Sequence, residues 1–134
     1  MVKHVIKGPR ERLSAARGYV VLDEDLAFLE QPLKNHNFMV TTLPSGMLHE
    51  DVLKLLSNRV LITKNFEPFE YDAPVHDFGL ISVRSLRLLE PAQEDSPTAK
   101  VISRAWKDFS LTSERFRYLL RLQPSGEHVF ERLE

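Results

Sequence analysis

The stretch that decides the fold is Tyr19 to Asp25, YVVLDED. Its first four residues are apolar or β-forming and do not alternate with polar ones. A strand with one face in water shows alternation. A continuous run suits a strand covered on both faces, as in a central parallel sheet. The run ends in Asp23-Glu24-Asp25. A charge directly after a buried strand is costly unless it is paired or functional, which singles out Asp23.

Downstream, Asp25 reads as the cap of a helix over DLAFLEQPLKNHN, residues 25–37. Leu26, Leu29 and Leu33 recur on one face. Pro32 should kink that helix or split off its last turn. NFMVTTL reads as a second strand, and PSG with Gly46 as a turn. LHEDVLKLLSN reads as a short helix with Val52, Leu53, Leu55 and Leu56 inward. Its acids lie in the first turn, where the helix dipole favours them. RVLIT and GLISVRSL are a third and a fourth strand. The segment between them, 64–78, carries Pro68, Pro74 and several acids, so it reads as loop or one broken turn. LEPAQEDSP reads as an acidic surface loop between two halves of the domain. Ser96-Pro97 signals a helix start, with Ala99, Ile102, Ala105, Trp106 and Phe109 on its apolar side. That spacing makes Trp106 and Phe109 core residues rather than base-stacking ones. FRYLLRLQ and EHVFERLE flank a turn and read as a hairpin. The alternation predicts an α/β domain with a mostly parallel central sheet and a C-terminal β-hairpin.

The 134 residues carry 18 basic and 19 acidic side chains, with 43% hydrophobic residues and no cysteine. That length fits one domain, expected over 19–134, and the composition supports a core. Disulfides, thiolate metal sites and cysteine nucleophiles are excluded. No apolar run is long enough to cross a bilayer as a helix, and no export signal is visible, so the expected location is cytoplasmic without membrane partners. Residues 1–18 carry Lys3, Lys7, Arg10, Arg12 and Arg17 against Glu11 alone. This basic arm precedes an acidic body, a distribution suited to binding phosphates or the body's own relatives, and equally that of a solvated, partly disordered leader.

Ligands of parallel sheets bind beyond the carboxyl ends of the strands. Asp23, Glu24 and Asp25 follow the first strand. Thr63, Lys64 and Asn65 follow the third, with Glu67 just after. His49, Glu50 and Asp51 open the helix after the second strand. Clustered carboxylates suit a hard divalent cation such as magnesium or manganese, which supports phosphodiester cleavage. Capping and first-turn roles explain Asp25, Glu50 and Asp51 equally simply. His49, His76 and His128 lack the spacing of a zinc site. The chain has no GxxxxGK[ST], GxGxxG or G-x-S-x-G. It also lacks the aspartate after the third strand that receivers require, and DEDLA departs from the D-x-D-x-T/V of dehalogenase-type phosphatases.

VVLDEDL resembles the LDEN or LDED strand end of small prokaryotic PIN-like (PilT N-terminus) nuclease domains. HNFMVTTL with LHEDVLKLL is similar to that family's second strand and acid-led helix. RVLIT, its polar loop and GLISVR resemble the T-x-D-x-D-F segment and the strand after it. The resemblance spans roughly residues 19–88. It implies a three-layer Rossmann-like domain, magnesium- or manganese-dependent endoribonuclease activity and, for many relatives, a toxin role with an antitoxin partner. A homodimer is a further expectation. By the resemblance, Asp23 falls on the first catalytic acid and Glu24 on its neighbour. Thr63 matches the threonine after the third strand, Glu67 the second acidic position, and Arg84 the arginine ending the fourth strand. Catalysis would fall to Asp23, Glu24, Asp51 and Glu67. The metal would fall to Asp23, Asp51, Asn65 and Glu67, and RNA contacts to Lys64 and Arg84. A structural ion pair is the other reading of Arg84. His49 and Asn65 stand where aspartate is usual, and each lost carboxylate weakens a site built on charge. Asp51, Glu67, Asp72 or Asp77 would have to substitute. Otherwise the domain binds a protein or RNA without cleaving it.

Overall fold

The computed structural model of the chain describes residues 17–86, 96–111 and 115–133. The acidic loop at 90–95 and all of the basic arm except Arg17 and Gly18 lie outside them. Six strands form one sheet: β1 (Tyr19–Leu22), β2 (Met39–Thr42), β3 (Val60–Thr63), β4 (Gly79–Ser82), β5 (Tyr118–Leu122) and β6 (His128–Arg132). Their order is β2-β1-β3-β4-β5-β6. All neighbours are parallel except β5 and β6, which form the expected hairpin. β1 is interior, as its apolar run requires, and Val20, Val21 and Leu22 are fully buried.

The helices are α1 (Glu30–Asn35), α2 (His49–Leu56), α3 (Asp72–His76) and α4 (Pro97–Leu111). Successive strand residues point to opposite faces, so each strand feeds two cores. Val20, Leu22, Val60, Ile62 and Ile81 pack with Leu33 of α1 and with Ala99, Ile102, Trp106 and Phe109 of α4. Val21, Leu61, Leu80 and Leu119 pack with Val52 and Leu56 of α2 and Ala73 of α3. The result is three layers, with helices on both faces of a mostly parallel sheet.

Four local expectations are corrected. The segment after β1 does not begin as an α-helix capped by Asp25. It is a 3-10 stretch, Glu24–Leu29, with Asp23 at the cap position and no side-chain cap bond. The break falls before Pro32 rather than at it. Leu26 is non-helical, and α1 restarts at Glu30, placing Pro32 in a first turn that needs no N–H from it. Leu53 and Leu55 are half-buried rather than buried. The segment 64–78 is more than a broken turn: a 3-10 turn, Glu67–Phe69, leads into α3, and Phe66, Phe69, Ala73 and Phe78 are buried. Its prolines sit where helices start, so they do not prevent helical cover.

α1, α2 and α3 are each followed by a residue with left-handed backbone, Asn37 (φ 72), Asn58 (φ 61) and Asp77 (φ 56). Asn and Asp tolerate that conformation better than other side chains, which turns the chain promptly into the next strand. Ser96 caps α4 as expected, its Oγ accepting from the Ala99 N–H at 3.2 Å. Just before β1, a Cβ on Gly18 would lie 2.2 Å from Trp106, so only glycine lets the α4 indole close over the start of the strand.

Candidate functional site

The carboxyl ends of β1 and β3 are adjacent, with Leu22 beside Ile62 in register. This brings Asp23 next to Thr63. The Thr63 side chain is fully buried, and its hydroxyl donates to the Asp23 carboxylate. The same oxygen accepts the Asn65 backbone N–H at 3.0 Å. Asp23 is half-buried. Burial is the main cause holding its carboxyl above the usual 3.8. The Thr63 hydrogen bond opposes that shift, and repulsion from Asp25 and Glu24 adds to it. Desolvation therefore outranks the mutual repulsion that a cluster of acids leads one to expect.

Asp23 and Glu24 line a cavity of about 210 Å³ with His49, Leu43, Met47 and Phe69. The His49 ring stacks on Phe69, centroids 5.5 Å apart, and its Nε2 lies 3.1 Å from Asp72 Oδ2. The apolar half of this cavity comes from Leu43, Met47 and Phe69. Phe69 escapes sequence reading because its helical segment looks like loop.

The other expected acids do not join Asp23 there. Asp25 pairs with Lys64 at 3.1 Å. Glu67 pairs with Arg84, which grips it with Nη1 at 2.8 Å and with Nη2, and whose Nε donates to the Lys64 carbonyl at 2.9 Å. Arg84 holds the Glu67 carboxyl below its usual range, and Glu67 holds the Arg84 guanidinium above its own. Arg84 also lies over the Phe66 ring at 4.5 Å, with Arg121 over the same ring at 4.7 Å. The ion pair read for Arg84 in the sequence is thus present, with Glu67 as its partner. Asp51 is half-buried in the first turn of α2 and does not line the cavity, and Asn65 is exposed. Asp77 precedes β4 and so lies at the amino end of the sheet, away from Asp23.

As arranged, these donors do not fit a divalent cation. Among the described residues no group of three or more His, Asp or Glu side chains could hold a metal ion. The carboxylates of Asp23, Asp25, Glu67 and Asp72 each face a hydroxyl, an ammonium, a guanidinium or an imidazole. No helix among the described residues is long and apolar enough to cross a membrane. No protein-family model, curated protein or solved structure matches the chain.

Proposed function

We propose that the chain is a PIN-like domain whose strand-end acids are each held by a local partner rather than gathered into a nuclease centre, and that it acts as a binding module for RNA or for a protein. One observation carries this reading: of the carboxylates expected to share a cation, Asp23 is turned to Thr63 and Glu67 to Arg84, and Asp51 does not line the Asp23 cavity. Hard cations gather charged oxygens around one point, and divided carboxylates lose that attraction. Calorimetry with manganese tests it. The expected result is no heat that depends on Asp23, with no RNA cleavage in magnesium or manganese. Heat that disappears in Asp23→Asn, together with cleavage that disappears with it, overturns the binding-module reading. Asn65→Asp combined with His49→Asp should raise manganese affinity, because it returns charge at two positions facing this end of the sheet.

A second reading, a magnesium- or manganese-dependent endoribonuclease of toxin type with an antitoxin partner, is favoured by a different observation. Asp23 and Glu24 share a cavity at the carboxyl end of the sheet. The Asp25–Lys64 pair is exposed on both sides. Exposed pairs contribute about 0–1 kcal/mol, which an incoming cation could displace. The same calorimetry separates the two readings.

A further inference from the structure

The sheet ends in two edge strands, β2 and β6, and they are built differently. β6 reads HVFER and carries charged or titratable side chains at His128, Glu131 and Arg132, a common defence of an edge against a stray strand. β2 reads MVTT and has no charge and no proline. On one face Val40 packs against the core under α1 and α4. On the other, Thr41 Oγ1 and the Tyr19 hydroxyl share a hydrogen bond at 2.8 Å. What β2 leaves open is its side.

The pairing with β1 fixes which backbone groups face that side. The Met39 N–H donates to the Gly18 carbonyl at 2.9 Å, and the Leu43 N–H donates to the Leu22 carbonyl at 2.8 Å. Peptide direction alternates along a strand, so Met39, Thr41 and Leu43 face β1. Val40 and Thr42 therefore turn their N–H and C=O groups outward. Among the described residues these groups have no backbone partner. Such an edge is a template for another extended segment.

We propose that two copies of the chain join through β2, antiparallel about a two-fold axis at Thr41, so that one sheet runs through both. In that register Val40 of one copy lies opposite Thr42 of the other. Each such pair exchanges two N–H···O=C bonds, and the axis repeats the pair, so every outward group of both strands is used. Thr41 meets its own copy across the axis, a favourable cross-strand pair. The charges on α1 suit the same axis. Glu30 accepts from the Thr42 hydroxyl at 2.9 Å, and the Lys34 carbonyl accepts the Asn37 N–H at 2.9 Å, so α1 runs antiparallel to β2. The two-fold reverses the second helix and sets its Lys34 end against the Glu30 end of the first. The Glu30–Lys34 pair within each helix lies in solvent, where it holds neither side chain firmly. A strand of four residues makes a small contact, so the dimer is weak and depends on concentration. The proposal goes beyond the binding-module reading and does not use the Asp23 cavity, so either can fail alone.

The test is sedimentation equilibrium of the full chain from about 5 to about 500 µM, where a monomer should pass to a dimer. Amide hydrogen exchange in the same samples should slow at Val40 and Thr42 as the dimer fills. It should not change at Phe130, whose amide faces outward on β6 because Glu127 and Leu133 face β5. Val40→Pro removes an N–H that β1 does not use, and should raise the dimer dissociation constant at least about tenfold. Lys34→Glu should raise it several-fold, and adding Glu30→Lys should restore it. That exchange of charges tests the register even if the proline variant does not fold. A chain still monomeric at about 500 µM overturns the proposal. So does a dimer whose Val40 and Thr42 amides exchange as fast as the monomer's. Equal protection of those amides at every concentration also overturns it, and assigns the edge to another segment of the same chain.

Discussion

At the carboxyl end of the sheet the charged side chains face one another; at the amino end they face outward into a shared cleft. Asp23, Asp25 and Glu67 each meet a donor or cation from a neighbouring strand end. Arg17, His36, Arg104 and Lys107 line one cleft beside α4. The chain holds nearly equal numbers of acids and bases, so composition does not separate these ends. The difference lies in which backbone brings them together. Strand ends in register juxtapose residues of opposite sign, whereas one helix face repeats the same sign. A count of clustered acids therefore points to the end whose charges are already satisfied.

The largest expected effect breaks the amino end from beneath. Phe109 is fully buried and contacts the rings of Trp106 and Phe130. Phe109→Ala should cost about 3–5 kcal/mol in urea denaturation. The cleft should distort with it, because Trp106, which also lines it, loses its support. Next comes Thr63→Val, which breaks the carboxyl end. It strips the Asp23 carboxylate and the Asn65 N–H of their shared partner, and should cost about 1–3 kcal/mol at neutral pH by the same measurement. A cost near zero would mean that Asp23 is solvated well enough without Thr63.

Asp23→Asn should act in the opposite direction and more weakly. Because burial raises the Asp23 carboxyl above 3.8, the folded state binds its proton more tightly than the unfolded state does. Stability is then greatest below 3.8 and falls as pH rises through the raised value. Asparagine keeps an oxygen for Thr63 and removes the charge. The variant should be more stable than the parent at pH 7, with the gain fading as pH drops toward 3.8. Thermal melts at several pH values check this, and a gain that grows toward acid would refute the sign. Smallest of all is Glu67→Gln. The pair with Arg84 lies in solvent, and Phe66 already holds the guanidinium, so the denaturation midpoint at pH 7 should not move measurably. A clear fall would show that the Glu67 pair anchors this end.

Much of the frame is written locally. Tyr19–Leu22 and Val60–Thr63 lack alternation and prove to be interior strands, and Ala99, Ile102, Ala105, Trp106 and Phe109 prove to be the inward side of one helix. Ser96-Pro97 and the hairpin turn near Gly126 (φ 92) are equally local signals. What escapes local reading depends on register. Arg84 reaches Glu67 because Thr63 and Ser82 are paired across β3 and β4, which no spacing within either segment reveals. The turn of chain at Leu26, six residues before Pro32, is likewise decided by how Leu26 and Leu29 seat in the core. The cleft did leave a trace in Arg104 and Lys107, but its other wall, Arg17 and His36, comes from distant segments.

The strand order has a consequence for synthesis. A ribosome releases the chain amino end first. β1 ends at Leu22 and can pair with β2 soon afterwards, yet its other neighbour does not begin until Val60. Until that point this interior strand keeps one edge open, and closing it requires a long loop before any contact rewards it. β4 waits in turn for β5 to emerge beyond α4. Only β6 joins its neighbour through a short turn. A nascent chain halted after α4 would expose the edge of β4, with Leu80 and Ile81, to any other extended segment nearby.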